Sequence, residues 1–420
     1  MSIQLTTLPN GLRVITDTVP EMDSVAVGVW CDVGTRNEDL AHNGVAHMVE
    51  HMMFNGTPTR SSQEIAETIE NVGGQMNAYT SREMTAYYIH LLKEDLNLGL
   101  EILSDMLQRP TFPDKELEKE RGVILQEIGM TNDTPDDVVF DYYQATAYPE
   151  QALGAPILGT ANIVAGMSKQ TLFDYVHRFY TPSKLIISAA GNLSHDNVVK
   201  QVQNLFTELP EDVNGNYDPA RYVGGQIRTE KDLEQSHIVL GFQGVSRENP
   251  SYFAASLMAM IMGGGMSSRL FQEVREKRGL VYSVFSSHSS FHDDGQFEIY
   301  AGTGPDKLPE LMPVLCDQIR KMESENVTDG ELARAKAQIK AGILMGRESM
   351  MGRANRQAKY LLNFGKPLDV HSLIAQIDAV TPEEIRSVSQ TIFTGTPTLS
   401  ALGPLAQLED FGETQKRLAA

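Results

Sequence analysis

Apolar and polar positions follow the same order in the two halves of this chain. Each half opens with a strand-like run, at residues 25–33 and 237–245, and then alternates predicted helices with extended segments. Matching elements lie roughly 205–215 residues apart, as in a duplicated unit. The pattern therefore predicts an α+β fold of two similar domains, each a mainly antiparallel sheet packed with helices. The other matched pairs are helices near 42–54 and 250–262, helices near 61–72 and 267–278, extended segments near 75–90 and 280–303, and helices near 93–108 and 305–323.

A break in this pattern lies close to the middle of the chain. Residues 208–226 are dense in Pro, Gly, Asn and Asp and have neither a helical nor a strand period, which is typical of a linker. The predicted domains are therefore residues 1–207 and residues 227–420. Late in the second half, the stretch 332–363 has a helical apolar period and is predicted to form core helices.

Composition excludes several classes of protein. Apolar residues make up 41% of the chain and charged residues 21%, which is ordinary for a globular protein and too apolar for disorder. A membrane span is not expected, because no run of 18 apolar residues occurs. The net charge of −20 argues against a nucleic-acid surface, which needs a basic footprint.

The cysteines and the start of the chain bear on the compartment. Cys31 and Cys316 cannot build a disulfide framework, so a reducing compartment is the default expectation, although both could equally be buried small apolar side chains. The first residues show neither the basic nor the apolar region of a secretory signal. We therefore expect a cytoplasmic protein and favour a bacterial cytoplasm over an organelle matrix.

The segment His47-Met48-Val49-Glu50-His51 carries the candidate chemistry. It lies in a predicted helix, so His47 and His51, four residues apart, share one face. Two imidazoles on one face can bind a zinc ion, and Glu50 flanks that face, where a carboxylate can take a proton from a zinc-bound water. The alternative is a pair of partly exposed histidines on an ordinary helix.

A catalytic zinc site needs a third protein ligand, and a second predicted helix offers a candidate. Glu127 has apolar neighbours in residues 123–128, so its carboxylate needs a compensating partner, which a metal ion would provide. Glu120 precedes it by seven residues and lies two turns back on the same face. From the residues alone, a solvated surface acid is the simpler interpretation of Glu120.

These residues resemble the inverted zinc motif H-x-x-E-H of the pitrilysin and mitochondrial processing peptidase family. In that family a Glu ligand follows the second His by about 75 residues, and another acid precedes that Glu by seven. Here Glu127 follows His51 by 76 residues, and Glu120 precedes Glu127 by seven. The resemblance implies that His47, His51 and Glu127 bind one Zn²⁺ per chain. It also implies that Glu50 is the general base and that Glu120 supports catalysis beside the site.

The resemblance covers nearly the whole chain and is strongest to the catalytic, beta-type processing peptidase and its bacterial homologues. Residues 8–14, 73–80 and 154–160 are typical of the family. In relatives, the strand at Asn77 and Ala78 borders the zinc and offers its edge to an extended peptide substrate. Without the resemblance, a turn residue is an equal interpretation of Asn77.

The second half has no H-x-x-E-H segment, but it resembles the family at Arg275 and Tyr282. Family members carry an Arg and a Tyr seven residues apart here, which hold the substrate and stabilise the transition state, since both groups can donate to a developing oxyanion. From the residues alone, a basic surface turn followed by a strand is the simpler interpretation. The glycine run 263–265 lacks the ending of a phosphate-binding loop.

Charge bears on the substrate. Residues 1–210 have a balance of −15 and the rest of the chain −5, which reflects either solubility or a site for cationic ligands. The segment around Asp137 and Asp141 resembles the part of the mitochondrial catalytic subunit whose acids receive a presequence arginine. The two acids lie four residues apart, on one helix face, where they can pair with a guanidinium.

The resemblance thus implies a zinc-dependent endopeptidase that hydrolyses extended or unfolded peptides with basic residues near the cleavage site. The family builds a hollow clamshell from four related domains, so this chain would form half of a chamber. A homodimer is expected, and a heterodimer with an inactive homologue is the alternative. Two other functions remain open: a non-catalytic structural subunit like the cytochrome bc1 core proteins, and a peptide-binding chamber that needs a partner subunit.

Overall fold

The computed structural model describes residues 3–212 and 218–420. The chain divides into two compact units, each built from separate stretches of sequence. The first unit comprises Met1–Gly129, Ala155–Asp218 and Leu344–Leu368, and the second comprises Met130–Gly154, Pro219–Ile343 and Asp369–Ala420. Residues 213–217 of the predicted linker, and the first two residues of the chain, lie outside the described residues.

A six-stranded sheet, sheet A, forms the centre of the first unit. Its spatial order is β1-β2-β6-β3-β5-β4, and every neighbouring pair is antiparallel except β2 and β6. The strands are β1 (Ile3–Thr7), β2 (Arg13–Thr18), β3 (Ser24–Cys31), β4 (Gln75–Thr80), β5 (Thr85–Leu92) and β6 (Leu185–Gly191).

A five-stranded sheet, sheet B, forms the centre of the second unit and repeats this plan. Its strands are β7 (Gly225–Glu230), β8 (Ser236–Gln243), β9 (Ser283–Ser290), β10 (Gly295–Thr303) and β11 (Thr398–Gly403). Their order is β7-β11-β8-β10-β9, and again only one pair, β7 and β11, is parallel. With β1 set aside, each strand of sheet A has a counterpart in sheet B. The predicted α+β fold of two similar domains is confirmed.

Helices cover both sheets. Those in the first unit are α1 (Val45–Met52), α2 (Ser62–Glu70), α3 (Leu96–Gln108), most of α4 (Asp114–Asn132), α6 (Ala161–Gly166), α7 (Lys169–Phe179), α8 (His195–Leu205) and α12 (Met350–Phe364). Those in the second unit are α5 (Pro135–Ala147), α9 (Tyr252–Gly263), α10 (Leu308–Ser324), most of α11 (Asp329–Met345), α13 (Val370–Ala379), α14 (Pro382–Phe393) and α15 (Phe411–Ala419). Within residues 3–212 and 218–420, none of the helices is both long and apolar enough to cross a bilayer.

One helix of each sequence half packs on the sheet of the other half. Helix α12 covers β2, β3 and β6, where Ala354 and Ala358 are fully buried against sheet A. Helix α5 covers β7, β8 and β11, where the Ser400 hydroxyl donates to the Val139 carbonyl. The compact units therefore differ from the continuous domains 1–207 and 227–420. The reason is that a break in sequence pattern marks a connection along the chain, whereas packing decides which sheet a helix covers.

Candidate metal centre

Helix α1 carries both histidines of the predicted motif. Its apolar side chains are buried in the core of the first unit, and this orientation leaves His47 and His51 together on the other side of the helix. The two rings meet edge to face with centroids 4.6 Å apart. Their side chains are only 12% and 20% exposed, so both imidazoles are largely shielded from solvent.

Glu127 of α4 completes a three-residue cluster with these histidines. Its Oε2 lies 3.7 Å from Nε2 of His47 and 3.7 Å from Nε2 of His51. One ligand atom from each of the three residues lies within 4.8 Å of the others. Contrary to the expectation of a buried carboxylate, the Glu127 side chain is 36% exposed, because α4 presents this turn to the outside of the core.

This cluster fits a catalytic zinc ion. Tetrahedral zinc with bonds of about 2.1 Å holds its ligand atoms about 3.4 Å apart, close to the separations found here. Two imidazoles and one carboxylate are a common ligand set for such a site, and the exposed side of Glu127 leaves room for a fourth ligand. Burial, with the charge of His51, lowers the pKa of His47 to about 4, so its ring is neutral and able to ligate at neutral pH.

Glu120 lies behind the cluster and not in solvent. It is 9% exposed, and its Oε2 is 3.0 Å from Nδ1 of His51. A carboxylate in this place favours the tautomer with the proton on Nδ1, which leaves the Nε2 lone pair available to a metal ion between His51 and Glu127. Nδ1 of His47 has no such partner among the described residues.

Glu50 occupies the side of α1 that faces the end of strand β4. Burial raises the pKa of its carboxyl; Thr80 and His51 act against that shift, and the charge of Glu127 adds to it. A carboxylate with a raised pKa, next to the three candidate ligands, is suited to take a proton from water near neutral pH.

The arrangement can be compared with known proteins. The sequence model described as "Insulinase (Peptidase family M16)" matches residues 13–161, and the one described as "Peptidase M16 inactive domain" matches residues 166–339. The chain belongs to peptidase family M16. The H-x-x-E-H segment lies within the first match, and the second match covers a stretch that has no such segment.

Relatives of this M16 chain are named zinc proteases. An uncharacterized zinc protease of Streptomyces coelicolor is 38% identical over 96% of this chain and 90% of its own length. The zinc protease YmxG of Bacillus subtilis is 38% identical over 95% of this chain and 97% of its own length.

Two solved structures share the fold. A protease from Helicobacter pylori superposes with a TM-score of 0.87 at 23% identity, covering 96% of this chain and 99% of that one. A structure from Pseudomonas fluorescens, described as a peptidase M16 inactive domain, has a TM-score of 0.90 at 20% identity. It covers 98% of this chain and 100% of its own. At these identities the likeness establishes the fold alone.

Strand β4 of the M16 chain borders the metal centre and packs against α1. Within the described residues it pairs with β5 alone, so its other edge is unpaired. Asn77 is exposed and Ala78 is half-buried. The Ala78 N–H donates to Asn77 Oδ1 at 2.8 Å, since the antiparallel alternation turns that N–H away from β5. A peptide strand could therefore pair here only by displacing the Asn77 amide.

Asp137 and Asp141 lie one turn apart on α5, in the second unit. Asp137 is exposed and Asp141 is half-buried. Asp137 lies close enough to Tyr300 to act on it: burial raises the pKa of the Tyr300 hydroxyl, and the charges of Asp136 and Asp137 add to that shift.

Arg275 and Tyr282 also belong to the second unit and lie side by side. The Arg275 guanidinium carbon is 5.9 Å from the ring centroid of Tyr282, which is 74% exposed, and 4.8 Å from that of Phe271. Arg275 is part of a π-helical turn, Phe271–Glu276, within the predicted helix 267–278. Such turns are rare and frequently occur at functional sites.

Sequence reasoning missed two residues close to this motif, Thr80 beside Glu50 and Glu38 at the start of α1. A signal for Glu38 exists: the residue before the helix is Gly44, which has no side chain with which to cap it. The first N–H groups of α1 are therefore open to a side chain from elsewhere in the chain.

Proposed function

We propose that this chain is a zinc-dependent endopeptidase that cleaves extended or unfolded peptides. The observation that carries the proposal is the convergence of His47, His51 and Glu127, with the carboxyl of Glu50 on the same helix. The edge of β4 that no strand of residues 3–212 and 218–420 pairs lies beside them and supports an extended substrate, because backbone pairing holds a peptide largely independently of its side chains.

In this proposal His47, His51 and Glu127 would hold one zinc ion per chain. When bound, the ion supplies a Lewis acid that polarises the scissile carbonyl and acidifies a water molecule. Glu50 takes a proton from the attacking water and later gives it to the leaving amine. Glu120 keeps the His51 ring in the tautomer and orientation that ligation requires.

A basic residue near the cleavage site is the second part of the proposal. The first half of the chain has a charge balance of −15, which favours the approach of cationic peptides. Asp137 and Asp141, one helical turn apart, can offer carboxylates to one guanidinium. Charge-assisted bonds of this kind are strong enough to select arginine.

A homodimer is the assembly that we propose. One chain carries both the zinc motif and the pair Arg275 and Tyr282, so two copies would supply every group. The exposed Tyr282 hydroxyl and the Arg275 guanidinium are donors suited to an oxyanion in a partner's site. We further propose that the protein works in a bacterial cytoplasm.

Cleavage of a quenched fluorescent peptide by the purified chain tests this function. The peptide contains arginines and no stable structure, and wild type and Glu50→Gln are compared at equal zinc content and known molecular mass. Cleavage by wild type alone is expected. Zinc binding with peptide binding but no turnover in either protein would indicate a peptide-binding chamber. Absence of zinc binding in wild type would overturn the proposal in favour of a structural subunit.

A further inference from the structure

The helix that carries the metal motif starts without a cap of its own. Gly44 precedes α1 with φ 93°, a left-handed conformation that favours glycine, and it has no side chain to accept the first N–H groups. A Cβ at Gly44 would lie 2.8 Å from Cα of Gly159, so the helix start is also pressed against another segment. Both features make the position of this first turn depend on contacts from outside the helix.

Glu38 supplies the missing cap from the preceding loop. Its Oε1 accepts the Ala46 N–H at 2.8 Å, and its Oε2 accepts the Gly44 N–H at 2.9 Å and the Asn43 side-chain N–H at 2.9 Å. The residue is 8% exposed. Charge-assisted bonds to a buried carboxylate are among the strongest hydrogen bonds in proteins, so these three fix the loop and the helix start together.

The same carboxylate ties this start to two neighbouring segments. Asn43, held by Glu38, also donates to the Pro156 carbonyl at 3.0 Å. Arg82, in the turn between β4 and β5, donates to the Ala155 carbonyl at 2.6 Å, and its charge favours the ionised form of Glu38. The cap therefore connects α1 to the turn after β4 and to residues 155–160. These residues lie in the segment 154–160, which is typical of the family.

The two histidines are supported in different ways. His51 is held directly, because its Nδ1 bonds Glu120. Nδ1 of His47 is buried without a partner in the described part of the chain. The His47 ring contacts His51 edge to face and lies 3.7 Å from Glu127, but at Nδ1 no hydrogen bond to a described residue orients it. The backbone of the first turn therefore has a larger part in its position, and Ala46, whose N–H binds Glu38, is the residue directly before it.

We propose that Glu38 is the positioning residue for His47 and the first turn of the metal helix, as Glu120 is for His51. This inference rests on the proposed zinc chemistry and adds a residue to it. Glu38 would touch neither metal nor substrate. It would hold the N-terminal turn of α1 so that the two Nε2 atoms and the Glu50 carboxyl meet at one point.

The chemistry of the cap limits what can replace it. Gln has the size of Glu. If its amide oxygen still accepted the Ala46 N–H, however, its NH₂ group would face the N–H donors of Gly44 and Asn43 and could not accept from them. Asp keeps the charge but is one methylene shorter, so it cannot reach all three donors. Three N–H groups face the two oxygens of Glu38, and only the ionised carboxylate can accept from all three without placing an O–H against a donor. Burial raises the pKa of Glu38 to about 7, and these three bonds and Arg82 act against that shift.

The test compares Glu38→Gln with wild type in three measurements: zinc affinity by competition with a chelating indicator, the visible spectrum of the cobalt-substituted protein, and peptide kinetics. We expect about tenfold weaker zinc binding, the scale known for residues that orient ligands. We also expect an altered cobalt spectrum and a lower kcat with KM nearly unchanged. Glu38→Asp should give values between those of wild type and Glu38→Gln in all three measurements.

Ser61→Ala is the matched control. Ser61 caps α2 in the same unit, where its hydroxyl accepts the Glu64 N–H in a capping box. This variant should lower the melting temperature while leaving zinc affinity and the cobalt spectrum unchanged. If Glu38→Gln does not fold, Asn43→Ala removes one of the three donors and should shift zinc affinity and spectrum in the same direction by less.

The proposal is overturned if the foldable Glu38 or Asn43 variant binds zinc and cobalt as wild type does. The metal readouts keep this result separate from the proposed peptidase function. A wild-type protein that binds zinc but cleaves no peptide would refute the peptidase and would still allow the role of Glu38 to be measured.

Discussion

Glu120 Oε2 lies 3.0 Å from Nδ1 of His51, on the side of the ring opposite to the Nε2 that faces Glu127. The His51 ring thus lies between two acids. Glu120 bonds its Nδ1, and Glu127 lies beside its Nε2, at the candidate metal position. Carboxylate–histidine–metal chains of this kind fix the tautomer and raise the basicity of the ligand. Glu120 therefore acts on the metal centre through His51.

Replacement of Glu120 should weaken metal binding without removing a ligand. We expect Glu120→Ala to bind zinc roughly 10–100-fold less tightly than wild type, because the His51 ring loses its orienting partner. Titration against a chelating indicator measures this. Glu118→Gln is the control, since this acid is 74% exposed on the same helix and pairs with Arg121; an equal loss in both variants would contradict the role of Glu120.

Variants of Glu50 and Glu127 should have different effects, the first on catalysis and the second on metal binding. Glu50→Gln should keep one zinc per chain and lose roughly 10²–10⁴-fold in kcat, because a positioned general base contributes about that much. Glu127→Gln should lose zinc, since its carboxylate lies 3.7 Å from both histidine Nε2 atoms. Metal analysis of both proteins decides the matter: an empty Glu50→Gln protein would make Glu50 a ligand.

Peptide binding at the edge of β4 that no described strand pairs should be weakened by loss of one N–H group. Ala78→Pro removes the outward N–H that now bonds Asn77, and it removes no bond to β5. We expect a higher KM for extended peptides with zinc content unchanged. Peptides with a single N-methylated bond supply the complementary experiment, and a KM that no such change affects would exclude pairing at this edge.

Much of the candidate site could be predicted from the sequence because helical geometry is local. Residues four apart share a helix face, so His47 and His51 follow from their spacing, and seven residues relate Glu120 to Glu127 in the same way. That α4 lies against α1 does not follow from any local pattern. The family spacing between His51 and Glu127 supplied that link.

The exchange of α5 and α12 between the two sequence halves could not be predicted in this way. Their apolar faces show that each helix is buried, but an apolar face carries no record of which sheet covers it. Ala354 and Ala358 on α12 illustrate the point, because small residues permit close packing on either sheet. Glu38 escaped notice for a related reason: it caps a helix that starts seven residues later, and its loop is held against two segments distant in sequence, the β4–β5 turn and residues 155–160.

Selection of arginine should depend on α5. We expect Asp137→Asn with Asp141→Asn to lower kcat/KM for arginine-containing peptides and to leave alanine-substituted peptides nearly unaffected, since the pair would lose its charge-assisted bonds. A library of peptides that differ at one basic position measures the effect. Asp136→Asn removes a neighbouring exposed charge and serves as the control for general charge steering.

The stability of the first unit should depend on pH through Glu38. The carboxyl has an ordinary pKa of 4.5 in an unfolded chain, and burial raises the pKa to about 7 in the folded protein. The folded state therefore binds more protons between these values, so this group's contribution to stability is complete below pH 4.5 and is lost as the pH rises through 7. A shift of this size corresponds to about 3 kcal/mol.

Urea unfolding of the metal-free protein at pH 4.5 and pH 8 measures this contribution. Trp30, the one tryptophan of the chain, is buried in β3 of sheet A, so its fluorescence reports the first unit. Relative to Glu38→Gln, which has no ionisable group at this place, wild type should lose up to about 3 kcal/mol of unfolding free energy between the two pH values. His47, whose pKa is lowered by burial, titrates in both proteins, so the difference between wild type and variant, and not either curve alone, measures Glu38. A constant difference between wild type and variant would mean that Glu38 ionises in the folded protein as it does in the unfolded chain, so that the three donors and Arg82 outweigh its burial.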